Sequence, residues 1–321
     1  MTKVLVTGAN GFVGRRMCQA LLSAGYPVKG AVRSEFAAKD LPAGTETVFI
    51  SNLHSEEQWR DTLQDVTSVV HLIGRTHVLK ESSPDPEEEY RSVNVWITYA
   101  LLNAIDERPV EKFIFMSSIK AVGEGGDKTP YTENTPTNPE DYYGKTKLEA
   151  EQYISTWSER TGIPSVILRP PLVYGPGVKG NFLRLLKLAR KGFPLPVGSI
   201  HNLRSLIYVD NLADALTKAL SKQLEGCDVF HIADEPPLST PLLYRELLKN
   251  FGKGAGLLPF PESLLRNAAK VAGKEQDYEK IAGSLVVSSE KFRDTFGWKE
   301  PFSFESGIRK TCEWYRTKND Q

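Results

Sequence analysis

The feature that most constrains this chain is its beginning. A short apolar run, Lys3–Thr7 (KVLVT), leads directly into Thr7-Gly8-Ala9-Asn10-Gly11-Phe12-Val13-Gly14 and then a helical pattern over Phe12–Ala24. A strand, a glycine turn and a helix in that order make a phosphate-binding βα unit. Gly8 permits the tight turn, Gly11 lets a diphosphate approach the backbone, and Gly14 lets helix and strand pack closely. The N–H groups opening the helix, with Phe12 and Val13 in its first turn, then face the anion.

The same rhythm continues. Val28–Val32, Thr47–Ile50, Ser68–Leu72, Lys112–Met116 and Ser165–Leu168 read as strands, nearly all apolar throughout, as in a parallel sheet buried on both faces. Helical patterns over Glu87–Arg108 and Lys145–Thr161 lie between them. The expected fold class is α/β, a doubly wound parallel sheet (Rossmann) with a smaller C-terminal substrate-binding lobe. Residues 1–169 form the dinucleotide-binding domain, completed by about 205–233. There Ser205–Val209 returns to the main sheet, helix Asn211–Ser221 follows, and Val229–Ile232 closes the unit. Residues 170–204, with a basic helix Phe182–Lys191, and 234–321 form the lobe. The acidic run Glu87–Glu89 reads as a solvated helix start. Gly256–Ala272 is mildly amphipathic, and a core-facing helix explains it more simply than a membrane surface.

Composition removes several classes of function. Lys plus Arg number 40 and Asp plus Glu number 40, a formal charge of zero, so no basic surplus points to nucleic acid. Cys18, Cys227 and Cys312 form neither a metal spacing nor a disulfide framework, which suits a reducing, cytoplasmic compartment. No secretory leader is expected before the first strand, and no apolar run approaches the ~20 residues of a membrane span. His54, His71, His77, His201 and His231 show no ligand spacing, and no metal is implied.

At the end of the second strand, about 20 residues past the glycines, an acidic residue would bond a free ribose 2′-hydroxyl. This chain has Val32, Arg33 and Ser34 there. A guanidinium and a hydroxyl suit a 2′-phosphate, so NADP(H) is favoured over NAD(H), the alternative being that Arg33 stacks on adenine with either bound. Tyr143 and Lys147, four apart, share one helix face. A tyrosine near an ammonium is a proton carrier for a hydroxyl whose carbon exchanges a hydride with nicotinamide. The fifth strand ends Phe115-Met116-Ser117-Ser118, where ligands of open α/β sheets sit, and Ser118 can polarise a carbonyl beside Tyr143.

Together these parts resemble the extended short-chain dehydrogenase/reductase family, particularly its nucleotide-sugar epimerase/dehydratase branch. The resemblance runs along nearly the whole chain: TGANGFVG, HLIG at 71–74, VN at 93–94, SSIKAVGE at 117–124, YYGKTKLEAE at 142–151, LRPPLVYGPG at 168–177 and RSLIYVDNLADA at 204–215. It implies that Ser118, five residues before Gly123, Tyr143 and Lys147 are catalytic, and that Asn94 supports the active-site helix. It places Gly8, Asn10, Gly11, Phe12, Val13 and Gly14 at the cofactor with Arg33, and Asn52 and Leu53 near adenine. Leu72, Ile73 and Gly74 fall at the diphosphate, and Met116, Pro170 and Val173 around nicotinamide. Asn181 and Arg204 fall where relatives hold the sugar nucleotide's diphosphate. Lys120 either contacts substrate or is a solvated loop lysine. A homodimer packed through Glu87–Arg108 and Lys145–Thr161 is also implied.

Relatives that dehydrate place an acidic pair after the catalytic hydroxyl; this chain has Ile119-Lys120. The expectation is therefore oxidoreduction at C4 of a nucleotide sugar, first as a UDP-4-keto-6-deoxy-(N-acetyl)hexosamine 4-reductase in polysaccharide biosynthesis, with a UDP-sugar 4-epimerase close behind. A reductase of a non-nucleotide carbonyl and a non-catalytic NADP-binding sensor rank lower.

Overall fold

The structure is a computed structural model describing residues 2–76, 83–254 and 256–319. Its first half alternates β1 (Val4–Thr7), α1 (Phe12–Ser23), β2 (Val28–Val32), α2 (Glu35–Ala38), β3 (Glu46–Phe49), α3 (Glu56–Thr62) and β4 (Ser68–His71). Next come α4 (Pro86–Arg91), a π-helical turn (Ser92–Trp96), α5 (Ile97–Glu107), β5 (Lys112–Met116), a 3₁₀ turn (Ile119–Ala121), α6 (Tyr142–Thr161) and β6 (Ser165–Arg169). The remainder is β7 (Leu172–Tyr174), α7 (Gly180–Lys191), β8 (Leu206–Tyr208), α8 (Val209–Ser221), β9 (Cys227–His231), α9 (Thr240–Asn250), α10 (Glu262–Val271), α11 (Glu275–Ala282), α12 (Glu290–Phe296) and α13 (Phe304–Asn319).

Seven parallel strands form one sheet in the order β3-β2-β1-β4-β5-β6-β9. The α/β Rossmann-like expectation holds. Side chains alternate between faces along each strand, and both faces are covered. Val4 and Val6 join the core built with α1 and α8, while Leu5 joins the opposite core with Trp59, Leu101 and Phe113. Chain order reverses between β1 and β4, so their carboxyl ends open the crevice where ligands of such sheets sit.

Three expectations change in detail. Ser205–Val209 does not return to the main sheet: β8 pairs with β7 in a separate two-stranded sheet, and β9 takes the edge beside β6. The single helix expected over Glu87–Arg108 is continuous but carries a π turn at Ser92–Trp96, where Asn94 is fully buried. The second helix begins at Tyr142 rather than Lys145, because Asp141 caps it by accepting the Gly144 N–H at 2.7 Å. The Glu87–Glu89 run does start a helix, α4, capped by Asp85.

The core-facing reading of Gly256–Ala272 fails. No residue of α10 is buried, and Leu264 and Val271 are 53% and 91% exposed. The helix packs on α11 and stands off the core. No helix among the described residues is long and apolar enough to cross a membrane.

Candidate active site

The glycine turn has no spare volume. Gly8 has φ +65°, a conformation open to glycine at little cost. A Cβ there would lie 3.2 Å from the Ile73 N and 3.3 Å from the Leu72 O, so the turn rests on the backbone that leaves β4. A Cβ at Gly11 would come 2.9 Å from the Gly8 O, and one at Gly14 would collide with that same oxygen and lie 2.8 Å from the Ala9 Cα. Gly11 caps α1 without a side-chain acceptor, and no acidic residue sits in its first turn. The first-turn N–H groups are thus left for an anion, and the cradle fits the diphosphate of a dinucleotide.

Other expected cofactor positions surround this turn. Arg33 follows β2 and is exposed. Ser34 spends its oxygen capping α2, accepting from the Ala37 N at 3.3 Å, which leaves the guanidinium as the cation at that strand end. Asn52 and Leu53 follow β3, where the Asn52 Oδ1 accepts from the His54 N and the Leu53 O from the Trp59 Nε1. Gly177, in the loop after β7, approaches the Phe12 ring closely enough that a Cβ would sit 3.3 Å away. Val173 lies on β7, half-buried.

The proton-handling group gathers at the end of β5. Lys147 is buried; its Nζ donates to the Met116 O at 2.9 Å and lies 4.5 Å from the Phe115 ring centroid. Burial pulls its pKa down to about 7, with Glu151 acting in the opposite sense. Tyr143, one turn earlier on α6, is hydrogen-bonded to Ser118. Desolvation raises its phenol to about 12 and the Ser118 bond offsets part of that rise. Helix α6 approaches the 3₁₀ turn so closely that a Cβ at Gly144 would strike the Lys120 O, which explains the glycine within YYGKTK. The Ile119 N donates to the Pro170 O at 2.9 Å, joining this turn to the loop after β6.

Asn94 is fully buried and uses its whole amide. Its Oδ1 accepts from the Arg75 N at 2.8 Å, and its Nδ2 donates to the Thr146 Oγ1 at 3.0 Å and the Arg75 O at 3.3 Å. It therefore ties the segment after β4 to α6. Gly74 lies between the two groups it separates: a Cβ would be 3.1 Å from the Lys147 Nζ and 3.4 Å from the Asn94 Oδ1.

The remaining candidates are placed differently. Lys120 is bound on both sides, to Glu124 and Asp141 at 2.7 Å each. Arg204 donates to the Gly283 O at 2.8 Å and lies in the field of Glu124, on the side of the catalytic turn. Asn181 is exposed on the first turn of α7. His77 lies outside the described residues, and no metal-ligating cluster occurs among those described.

Sequence reasoning missed two buried networks. Thr7 Oγ1 lies 2.7 Å from His71 Nδ1, and His71 Nε2 3.1 Å from Thr98 Oγ1, which donates to the Asn94 O at 2.9 Å. Burial pushes His71 down to about pKa 3, so it is neutral in this chain of bonds. The second network joins Ser117, Glu151 and Arg169. The spacing of Tyr143, Lys147 and Glu151, successive positions on one helix face, was the available signal for it.

A doubly wound sheet, a glycine cradle at its switch point and a Ser-Tyr-Lys group at the next strand end define a Rossmann-type enzyme. The model of the NAD dependent epimerase/dehydratase family matches residues 4–233. A UDP-glucose 4-epimerase of Vibrio cholerae is 34% identical over 99% of this chain and 97% of its own length. An N-acetyl-alpha-D-glucosaminyl-diphospho-ditrans,octacis-undecaprenol 4-epimerase of Escherichia coli O157:H7 is 26% identical over 97% and 94%. Among solved structures, UDP-glucose 4-epimerase of Thermotoga maritima with UDP-glucose superposes with TM-score 0.80, at 22% identity and 99% coverage of both chains. The chain belongs to the NAD dependent epimerase/dehydratase family of nucleotide-sugar enzymes.

Proposed function

We propose that the protein acts at C4 of a nucleotide sugar and that its net reaction is reduction of a 4-keto group. The observation that carries the C4 chemistry is the grouping of Ser118, Tyr143 and Lys147 at the end of β5 with no free carboxylate in the turn that follows. Positions 119 and 120 are Ile and Lys, and Lys120 binds both Glu124 and Asp141. Removal of a C5 proton and loss of water, the work of a dehydratase, would lack its base there.

A bound nicotinamide supplies or accepts the hydride. The chain's own residues do the rest. Tyr143 exchanges a proton with the oxygen on C4, and Ser118 holds that oxygen and the phenol in one hydrogen-bonded line. Lys147, held by the Met116 O one turn along α6 from Tyr143, is the cation assigned to ease ionisation of the phenol. Arg204 offers a guanidinium for the substrate's diphosphate, with Asn181 as an amide donor.

Net reduction is favoured by Arg33. A cation at the end of β2 suits the 2′-phosphate of an exchangeable NADPH. A second reading, 4-epimerisation, is favoured by the activity named for the 34%-identical relative. The protein is further read as a homodimer. Trp96, Tyr99 and Tyr153 form an exposed ladder over the π turn, α5 and α6, with Tyr99 and Tyr153 ring centroids 5.7 Å apart, an aromatic patch suited to an interface core.

Purified protein is incubated with UDP-N-acetylglucosamine alone, and separately with its 4-keto-6-deoxy derivative plus NADPH or NADH. The expected result is stoichiometric consumption of NADPH, in preference to NADH, with the keto sugar. Conversion of the unmodified sugar to its C4 epimer without net cofactor use would replace this reading by the second.

A further inference from the structure

Beneath the catalytic group lies a buried ion pair that the C4 chemistry, as described so far, does not use. Glu151 is 3% exposed and Arg169 5%. The Arg169 Nε donates to the two oxygens of Glu151 at 3.0 and 3.2 Å, its Nη2 donates as well, and the Ser117 hydroxyl donates to the Glu151 Oε1. Taking two charges out of water is costly, and a pair of apolar residues of similar volume would often serve stability as well. Such a pair at this place calls for another account. Both members of the pair and their serine partner are tied to the site: Ser117 precedes Ser118, Arg169 precedes Pro170, and Glu151 is one turn beyond Lys147 on α6.

We propose that Glu151 is a positioning residue whose carboxylate, anchored by Arg169 and Ser117, keeps Lys147 cationic beside Tyr143. The surroundings of Lys147 make this carboxylate decisive. On α6 Tyr143 stands one turn before it and Glu151 one turn after it; from β5 it meets the Phe115 ring and the Met116 carbonyl. On the β4 side stand His71, neutral because burial holds it near pKa 3, and the uncharged amide of Asn94. β6 contributes Arg169, whose guanidinium is turned onto Glu151. Behind the pair, β9 supplies Cys227, raised to about 12, and His231, lowered to about 4, both uncharged near neutrality. Glu151 is thus the anion that offsets the desolvation of Lys147, which would otherwise lose its proton at a still lower pH. A neutral Lys147 would leave the phenol without its cation.

This inference deepens the proposed C4 chemistry and rests on it for its functional meaning, but its test does not need turnover. Lysine labelled with ¹³C at Cε is incorporated into the full chain. The Lys147 resonance is identified by its loss in Lys147→Met, and its midpoint is read by NMR titration. Glu151→Gln, which keeps volume and hydrogen bonding, is expected to lower the midpoint by about half a pH unit or more, and Arg169→Gln to raise it. Ser117→Ala, which removes an anchor and no charge, is expected to leave it in place.

A merely structural pair would move both midpoints in one direction or neither, and that result would overturn the proposal. Where a single variant does not fold, Glu151→Gln/Arg169→Met strands no charge; its expected midpoint is also lowered, and an unchanged one refutes the idea. In turnover assays the alkaline limb of kcat follows the same shift. Shifted midpoints in a protein that turns over neither sugar mixture would uphold the role of Glu151 and reject the C4 reading.

Discussion

Tyr143→Phe is expected to lower kcat by about 10²–10⁴-fold, the range for loss of a positioned acid–base group, while cofactor binding stays intact. The substitution removes one oxygen and keeps the ring, which lies 6.4 Å from Tyr90 and packs at the start of α6. The cradle at Gly8–Gly14 is on other elements and does not change. Cofactor affinity measured by fluorescence titration is therefore expected near the wild-type value, with turnover of the keto sugar reduced. A variant with turnover near wild type would show that the phenol does not carry the proton. The 3% exposure of Lys147 and the Ser118 bond to Tyr143 make this the largest catalytic effect expected of one atom.

Gly14→Ala is expected to cost more than any other single methyl added to the first βα unit. Its Cβ would strike the Gly8 carbonyl and come 2.8 Å from the Ala9 Cα, both backbone atoms that cannot rotate away. Overpacking of this kind costs about 1–3 kcal/mol, and relief by shifting α1 would also open the cradle. The expected outcome is a melting temperature lower by several degrees together with loss of the stabilisation expected of added NADPH in the wild type. Scanning calorimetry with and without NADPH measures both. Retention of the ligand-induced shift would mean that the close approach of α1 to β1 is not what binds the diphosphate.

Much of the fold was legible because the relevant signals are local. Largely apolar runs such as KFIFM mark strands buried on both faces, and the glycine triplet marks the turn whose carbonyl a side chain would strike. The pairing of β8 with β7 was not legible, since a three-residue apolar strand carries no record of its partner. Nor did the amphipathic pattern of α10 show that its apolar residues would stay exposed; periodicity defines a face, while tertiary packing decides what meets it. The π turn went unseen because it adds a residue without breaking the apolar pattern. At the site, Tyr143 and Lys147 were readable from their spacing on one helix. The bonds from Thr7 through His71 to Thr98, and from Ser117 through Glu151 to Arg169, join residues 18 to 64 positions apart. Their partners follow from sheet topology, which no local pattern contains.

Hydride exchange at C4 in the direction of reduction is read by following the hydrogen itself. The protein is given UDP-4-keto-6-deoxy-N-acetylhexosamine and NADPH deuterated at the transferring position, and the product is examined by NMR and mass spectrometry. The expected product is a nucleotide sugar carrying a single deuterium at C4, formed in equal amount with oxidised cofactor. Deuterium at another carbon, or no incorporation while the unmodified UDP-sugar is epimerised, would contradict it.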